Sequence, residues 1–257
     1  MTTRALFVSD IHIGAPDDPR SILFCEFLDK CMTLPVSQLF LVGDIFDFWI
    51  SDRKYLTERY AVIVAKIQRL IESGVRVHYF EGNHDLDLHA FWQKKLGAEV
   101  HAGAAYFHVG SLTVRVEHGD QMDPSDRGYL FLRWFLRTSF MVWLGRKLPE
   151  RAVQWIGQRA SATSRGYTTQ VKTVTDDLTR AKIRKHAVRE FARKPFDLLI
   201  AGHVHVREDA LQVVSGGTFR SINLGTWLKE PVVLEISGTA AEFREIKDFL
   251  RDRAEKK

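Results

Sequence analysis

Short apolar runs that end at a glycine or a polar residue recur along the chain. Each run holds four to six β-branched, aromatic or aliphatic residues, which is typical of a buried strand followed by a loop. The runs occupy residues 5–9, 38–42, 75–80, 112–117 and 196–201. They predict five core strands.

Apolar residues at spacings of three and four predict helices between the first strands, at residues 20–32 and 56–72, and Gly74 is expected to close the second. Beyond residue 211 the pattern becomes strand-like again and then helical. Strands are predicted at 212–214, 218–223 and 232–236, and a helix at 243–253. The mixture of elements predicts an α/β (α+β) fold class.

Residues 124–194 interrupt this alternation with several helical stretches and no strand-like run, and they predict a helical insertion. Within 133–194, fifteen Lys and Arg residues accompany four Asp and Glu residues, a net charge of +11, whereas the whole chain carries +5. The remainder of the chain is therefore net acidic at −6. The excess positive charge belongs to the insertion.

The first part of the insertion, residues 129–147, is unusually rich in aromatic and aliphatic residues, but it is too short and too charged to span a bilayer. Three interpretations remain open. The segment is a helical hairpin that buries its aromatics in its own core, a surface in peripheral contact with a membrane, or a cap that holds acyl chains while Arg and Lys bind phosphate.

Composition agrees with an enzyme whose 257 residues, 45% of them hydrophobic, fold as one domain over 1–257. The chain shows neither a signal peptide nor an apolar run of about eighteen residues, which favours a cytoplasmic protein, with peripheral contact at the inner membrane left open. Cys25 and Cys31 are expected to be reduced thiols, since six residues apart on a helix they point to different faces.

Short polar motifs with metal-ligand side chains follow the predicted strands. They read D-x-H, G-D, G-N-H-D, H-G-D and G-H-x-H, and they begin at residues 10, 43, 82, 118 and 202. Read singly, a histidine after a strand is more often an ordinary surface or core residue, and G-N-H-D is a common turn. Ligands bind at the carboxyl ends of strands in α/β sheets, so the joint pattern predicts one site.

The residue types indicate the chemistry of that site. Two cations about 3.5–4 Å apart can generate a hydroxide nucleophile, anchor phosphoryl oxygens and neutralise charge in the transition state. Mixed carboxylate, imidazole and amide ligands suit Mn, Fe or Zn better than an all-oxygen Ca or Mg site. The sequence therefore predicts a hydrolase of phosphate esters with two divalent metal ions, with Mn favoured.

The order of these motifs resembles the calcineurin-like metallophosphoesterase superfamily over roughly residues 4–236. The resemblance implies a four-layer αββα sandwich with a helical cap. It implies that one metal is held by Asp10, His12, Asp44 and His205, and the second by Asp44, Asn83, His118 and His203. It also implies that His84, oriented by Asp85, protonates the leaving group or stabilises its charge.

The insertion sharpens the resemblance to the UDP-2,3-diacylglucosamine hydrolases of lipid A biosynthesis, which release UMP and a lipid phosphate. The runs at 43–50 (G-D-I-F-D-F-W-I), 126–129 (D-R-G-Y) and 159–164 (R-A-S-A-T-S) are similar to segments of that family. The resemblance implies an acylated, phosphorylated small-molecule substrate. Its binding residues would be Asp126, Tyr129, Arg159 and Ser164. One departure is His84, where those hydrolases have Arg.

Three functional hypotheses follow. The first is a pyrophosphatase of a lipid-linked nucleotide sugar. The second is a general phosphodiesterase or nuclease, for which the basic insertion would contact phosphates; against nucleic acid, the aromatics lie among aliphatic residues rather than spaced as a stacking platform. The third is a non-catalytic binding module, which the complete ligand set disfavours. The sequence leaves the oligomeric state open.

Overall fold

The computed structural model describes residues 4–155 and 176–252. The strands are β1 Arg4–Val8, β2 Val36–Leu41, β3 Trp49–Ile50, β4 Arg76–Phe80, β5 Asp85–Leu86, β6 Glu99–His101, β7 Ala105–Val109, β8 Leu112–Val116, β9 Leu198–Ala201, β10 Glu208–Val214, β11 Gly217–Asn223, β12 Val232–Ser237 and β13 Ala240–Glu245. The helices are α1 Pro19–Thr33, α2 Lys54–Arg59, α3 Ala61–Glu72, α4 Arg127–Leu136, α5 Ser139–Lys147, a long helix Asp176–Arg193 and a terminal helix Ile246–Arg251, and a short 3₁₀ turn spans Leu88–Ala90.

The strands form two main sheets. The first has the order β13-β12-β1-β2-β4-β6, and the second has the order β10-β11-β9-β8-β7. Strands β1, β2, β4 and β6 run parallel, as do β11, β9 and β8. The carboxyl ends of the parallel strands in each sheet therefore lie at one edge, which is where the polar motifs of the sequence follow them.

Three hydrophobic clusters define the layers. Phe24 and Phe27 of α1 lie in a cluster that joins α1, α3 and the terminal helix to the first sheet. A second cluster, which includes Phe7, Phe40 and Ile200, fills the space between the two sheets. The long helix covers the outer face of the second sheet through a third cluster. These layers confirm the four-layer αββα sandwich.

Two predicted helices differ from the structure. The helix predicted at 56–72 is divided at Tyr60, whose hydroxyl donates to Ile13 O at 3.2 Å and whose ring packs 4.5 Å from Phe46. The helix predicted at 243–253 is wrong over its first three residues, because residues 240–245 form β13 and pair with β12. The turn between them places Gly238 at φ 64°, a left-handed conformation that glycine adopts without strain.

The described part of the insertion consists of helices joined by short turns, without a strand among these residues. It contains α4, α5, helical residues at 150–155 and the long helix. The long helix packs on the second sheet and is therefore a layer of the sandwich. The described part of the insertion that lies outside the layers comes before residue 156. In the parts of the chain that the structure describes, no helix has the length and apolarity needed to cross a bilayer.

The helices α4 and α5 do not bury their aromatics in a core of their own. Neither helix contains a buried residue. Phe131, Trp134, Phe140 and Trp143 are 63%, 62%, 64% and 55% exposed, respectively. The interpretation of this segment as a self-packed hairpin is therefore wrong for the residues described, and its apolar side chains face outward.

Candidate metal centre

All seven candidate metal ligands lie together at the carboxyl edges of the two sheets. Asp10 and His12 follow β1, Asp44 follows β2 and Asn83 follows β4. The second sheet contributes His118 after β8, and His203 and His205 after β9. The five strand ends predicted from the sequence thus converge as expected.

One group of ligand atoms is formed by Asp10, His12 and His205. Nε2 of His205 lies 3.1 Å from Oδ1 of Asp10 and 3.0 Å from Nε2 of His12. Oδ1 of Asp10 is buried and accepts no well-formed hydrogen bond from any residue in the described ranges. Two imidazole nitrogens and a carboxylate oxygen that converge on one point, with that oxygen unsatisfied, fit a divalent cation.

A second group surrounds Asp44 on its other side. Oδ1 of Asn83 lies 2.9 Å from Nδ1 of His203 and 3.3 Å from Nε2 of His118, and Nε2 of His118 lies 3.5 Å from Oδ2 of Asp44. Asp44 is also within 4.8 Å of ligand atoms of His12. Its carboxylate therefore lies between the two groups, where a bridging ligand is needed.

In Asp10 and Asp44, hydrogen bonds to one carboxylate oxygen leave the other oxygen available to a metal. Oδ2 of Asp10 accepts from the Ser9 hydroxyl and from the backbone N–H of His203 at 2.9 Å. Oδ1 of Asp44 accepts from the backbone N–H of His84 at 2.9 Å. Likewise, Nδ1 of His118 lies 2.9 Å from Val42 O and donates to it, which leaves Nε2 for a metal.

Most of the ligands have an uncommon backbone conformation. Seven non-glycine residues in the described ranges have positive φ, and five of them are ligands, with φ between 51° and 73°: Asp10, His12, Asp44, His203 and His205. Such residues persist only where the surroundings enforce them, and they concentrate at functional sites. The uncommon backbone conformations and the candidate metal ligands therefore indicate the same site.

The electrostatics also suit cations. Burial opposes ionisation of Asp44, but His118 and His84 outweigh it and hold the pKa of Asp44 well below its usual range. Burial likewise opposes charge on His118, yet Asp44 raises its pKa to about 10. Burial lowers the pKa of His12 and of His203 to about 4, so both are neutral and available as ligands at pH 7. Divalent ions in this site would displace the proton of His118.

His84 lies at the rim of the centre, with its ring 5.0 Å from that of His12. Its Nδ1 is 2.8 Å from Asp47 O, so the orienting contact comes from Asp47, whereas the resemblance had implied Asp85. The Asp85 carboxylate instead accepts from Ile45 N and the Tyr79 hydroxyl, both at 2.9 Å, and thereby fixes the loop after β2. Burial and the nearby Asp44 raise the pKa of Asp85 to about 7.

The predicted substrate-binding residues have different positions. Tyr129 lies beside the centre: its hydroxyl donates to Asp120 at 2.8 Å and its ring is 6.1 Å from that of His203. Asp126 caps α4 by accepting from Tyr129 N at 2.9 Å, a local structural role. Arg159 and Ser164 lie outside the described residues.

Some residues that support the site were not among the site residues predicted from the sequence. Ser9, Tyr79 and Asp120 hold or flank the ligands through the contacts above, and the carbonyl oxygen of Asp47 orients His84. Asp120 lies inside the H-G-D motif and Asp47 inside the run at 43–50, so the sequence offered a signal that both lie near the site. Ser9 and Tyr79 read only as strand residues.

A methyl group at Gly82 is expected to weaken metal binding on the order of 10–100-fold, because it would overlap Oδ1 of Asp44 and approach Asp44 N at 2.7 Å. Calorimetric titration of metal-free Gly82→Ala with Mn²⁺ measures the effect. Gly103→Ala is the matched control, since a methyl group there meets nothing within 4 Å. Equal affinity in both variants would contradict the close approach.

The chain is similar to several known proteins. Two UDP-2,3-diacylglucosamine hydrolases, from Pseudomonas putida strain W619 and Pseudomonas paraeruginosa strain PA7, are each 28% identical over 237 residues, covering 90% of this chain and 94% of the relative. A solved structure described as a novel archaeal phosphodiesterase is 13% identical, with a TM-score of 0.48, covering 95% of this chain and 98% of that one. The calcineurin-like phosphoesterase family matches residues 3–207. The chain belongs to that family, and it is a metal-dependent hydrolase of phosphate esters.

Proposed function

We propose that the protein hydrolyses the pyrophosphate bond of UDP-2,3-diacylglucosamine or a related lipid-linked nucleotide sugar, releasing UMP and a lipid phosphate. The observation that carries the proposal is an exposed apolar surface on α4 and α5, next to the metal centre. Relatives named as UDP-2,3-diacylglucosamine hydrolases support it at modest identity.

The apolar surface is fixed to the loops that carry the metal ligands. Arg133 of α4 binds the carboxylate of Asp120, two residues beyond His118, at 2.5 Å. Arg137 binds Glu81 at 3.2 Å and donates to Gly82 O at 3.3 Å, next to Asn83. Acyl chains on this surface would therefore lie close to a phosphate at the centre, as a substrate with both groups requires.

Much of the basic charge of the described insertion is held in ion pairs, and six of its basic residues pair with acidic residues outside it. Eight arginines and lysines of the described insertion form ion pairs with acidic residues: Arg133, Arg137, Arg146, Arg180, Lys182, Arg184, Arg189 and Arg193. Nucleic-acid binding instead needs cations that are free to contact phosphates. This pairing favours the small-molecule hypothesis over a nuclease.

The mechanism assigns a role to each part of the centre. When bound, two divalent ions, for which we favour Mn over Fe or Zn, would make a hydroxide available at neutral pH and would reduce the charge on the phosphoryl group. The seven ligands would hold them, with Asp44 between. His84, held by Asp47 O, faces the departing oxygen and stabilises or protonates it. Tyr129 and the α4–α5 surface position the acylated part of the substrate at the cytoplasmic side of the membrane.

The test is hydrolysis of UDP-2,3-diacylglucosamine by the Mn²⁺-loaded protein, compared with bis-p-nitrophenyl phosphate and a short DNA. We expect kcat/KM for the acylated substrate to be far above the other two. In Phe131→Ser it should fall about 10–100-fold, since full burial of one such side chain contributes about 1.5–3 kcal/mol and each 1.36 kcal/mol is tenfold, while the chromogenic ester is unaffected.

Val62→Ser is the control, because Val62 lies on α3 and is 63% exposed, as Phe131 is. Equal losses in the two variants would remove the apolar surface from substrate binding. Activity on the chromogenic ester alone would retain the phosphoesterase and discard the lipid-linked substrate, in line with His84 standing where the lipid A hydrolases have Arg.

A further inference from the structure

A cluster of three potential metal ligands lies outside the metal centre, on two neighbouring strands of the first sheet. His78 belongs to β4, and Glu99 and His101 belong to β6, the strand at the sheet edge. The strands are parallel, with His78 paired to Glu99 and Phe80 paired to His101. The three side chains therefore share one face of the sheet. His78 lies five residues before Asn83, so the cluster is set back from the ligand-bearing loops.

The two distances from His78 match those required by a tetrahedral ion. Nδ1 of His78 lies 3.3 Å from Nε2 of His101 and 3.4 Å from Oε2 of Glu99, and all three atoms are within 4.8 Å of one another. With metal–ligand bonds of about 2.0–2.1 Å, the ligand atoms of a tetrahedral Zn²⁺ are separated by about 3.3–3.4 Å. One ion can thus bind all three with little movement.

Aromatic packing fixes the two imidazoles. His78 is 1% exposed and its ring stacks on Phe40 at 4.5 Å, while the His101 ring stacks on Phe80 at 4.6 Å. Phe107 of the second sheet packs against both imidazole rings. Ligands whose rotamers are locked by packing bind metal with less loss of entropy. The side chain of Glu99 is 53% exposed, which gives an ion access from solvent.

His78 and His101 are in the neutral form that binds metal ions. Burial and the neighbouring His101 lower the pKa of His78 to about 3, and burial lowers the pKa of His101, so both rings are neutral at pH 7. Within the described chain, Nε2 of His78 is buried without a hydrogen-bond partner. In the metal-bound form this nitrogen would carry the ring proton, and Nδ1, which faces His101 and Glu99, would be the ligand.

We propose that His78, Glu99 and His101 form a further metal site, which binds one ion of the Zn²⁺ class with water in the fourth position. Two imidazoles and a carboxylate are ligands that Zn²⁺ prefers, and Co²⁺ and Ni²⁺ share this preference. The ion would join β6, a strand of three residues, to β4. It would stabilise the edge of the sandwich and take no part in the hydrolysis.

The experiment is to load the metal centre with Mn²⁺, titrate the protein with Zn²⁺, and count the metals per chain after dialysis. The wild type should retain one more ion than His101→Gln. Affinity for that ion should fall at least tenfold in Glu99→Gln. His108→Gln, which alters an exposed histidine on β7, is the control and should match the wild type.

Co²⁺ gives a readout that is independent of activity, since a tetrahedral Co²⁺ ion absorbs visible light strongly. The wild type and His108→Gln should show an additional band that His101→Gln and Glu99→Gln lack. Equal affinity for the additional ion in wild type and Glu99→Gln, measured at sub-saturating metal by count and by spectrum, would overturn the proposal. Glu99→Gln decides the question even if His101→Gln fails to fold, because its side chain is half exposed.

Discussion

Asp44→Asn is expected to lower kcat by about 10³-fold or more and to remove at least one metal ion per chain. Asp44 is buried and lies between the two groups of ligand atoms, so its substitution affects both ions. Metal ions contribute several kcal/mol to the stabilisation of transition-state charge, and each 1.36 kcal/mol is tenfold in rate. The loss should therefore appear with every phosphate ester, regardless of its acyl groups.

Metal content by mass spectrometry and hydrolysis of bis-p-nitrophenyl phosphate measure the two effects separately. Asp29→Asn is the matched control, because Asp29 is an exposed aspartate paired with Lys66 on the surface. It should keep the metal content and the rate of the wild type. Wild-type turnover in Asp44→Asn would refute the two-metal assignment, including the bridging position of Asp44.

His84→Gln is expected to retain the metals and lose about 10²–10⁴-fold in kcat, the range associated with a positioned proton donor. The side chain of His84 lies at the rim of the centre, while its backbone N–H donates to Asp44. Substitution of the side chain leaves that backbone contact in place. The variant should therefore bind Mn²⁺ as tightly as the wild type, and calorimetry checks this.

Substrates with different leaving groups distinguish the two possible roles of His84. If the imidazole protonates the departing oxygen, the loss should be greater for a poor leaving group, such as an alkoxide, than for p-nitrophenolate. If it stabilises charge on the phosphoryl oxygens, the losses should be equal. His89→Gln, an exposed histidine five residues further on, is the control. An unchanged rate in His84→Gln would exclude the residue from the chemistry.

The convergence of the candidate metal ligands could be predicted from the sequence because each follows a strand that the hydrophobic pattern marks. Parallel strands place their carboxyl ends at one edge, so position after a strand fixes position in space. Five motifs then suffice to predict one centre. The same logic cannot reveal Ser9, at the end of a strand, or Tyr79, within one, since neither is a typical metal ligand and their hydrogen-bond partners depend on tertiary packing.

Other features depend on pairings between distant segments. Residues 240–245 contain alanine, glutamate and arginine, which favour helices, yet pairing with β12 makes them a strand. The cluster of His78, Glu99 and His101 arises from the register of β4 and β6, which no local pattern encodes. The net charge of the insertion predicted a basic surface, but the ion pairs with the acidic sandwich appear only once the chain is folded.

The left-handed backbone of five metal ligands has a consequence for the stability of the protein. Strained residues cost on the order of 1–3 kcal/mol each, so together they offset a large share of the 5–15 kcal/mol that keeps a typical domain folded. Bound ions stabilise the native state by mass action. Loss of bound metal is therefore expected to lower the stability of the protein as well as its activity, and a chelator should lower its Tm.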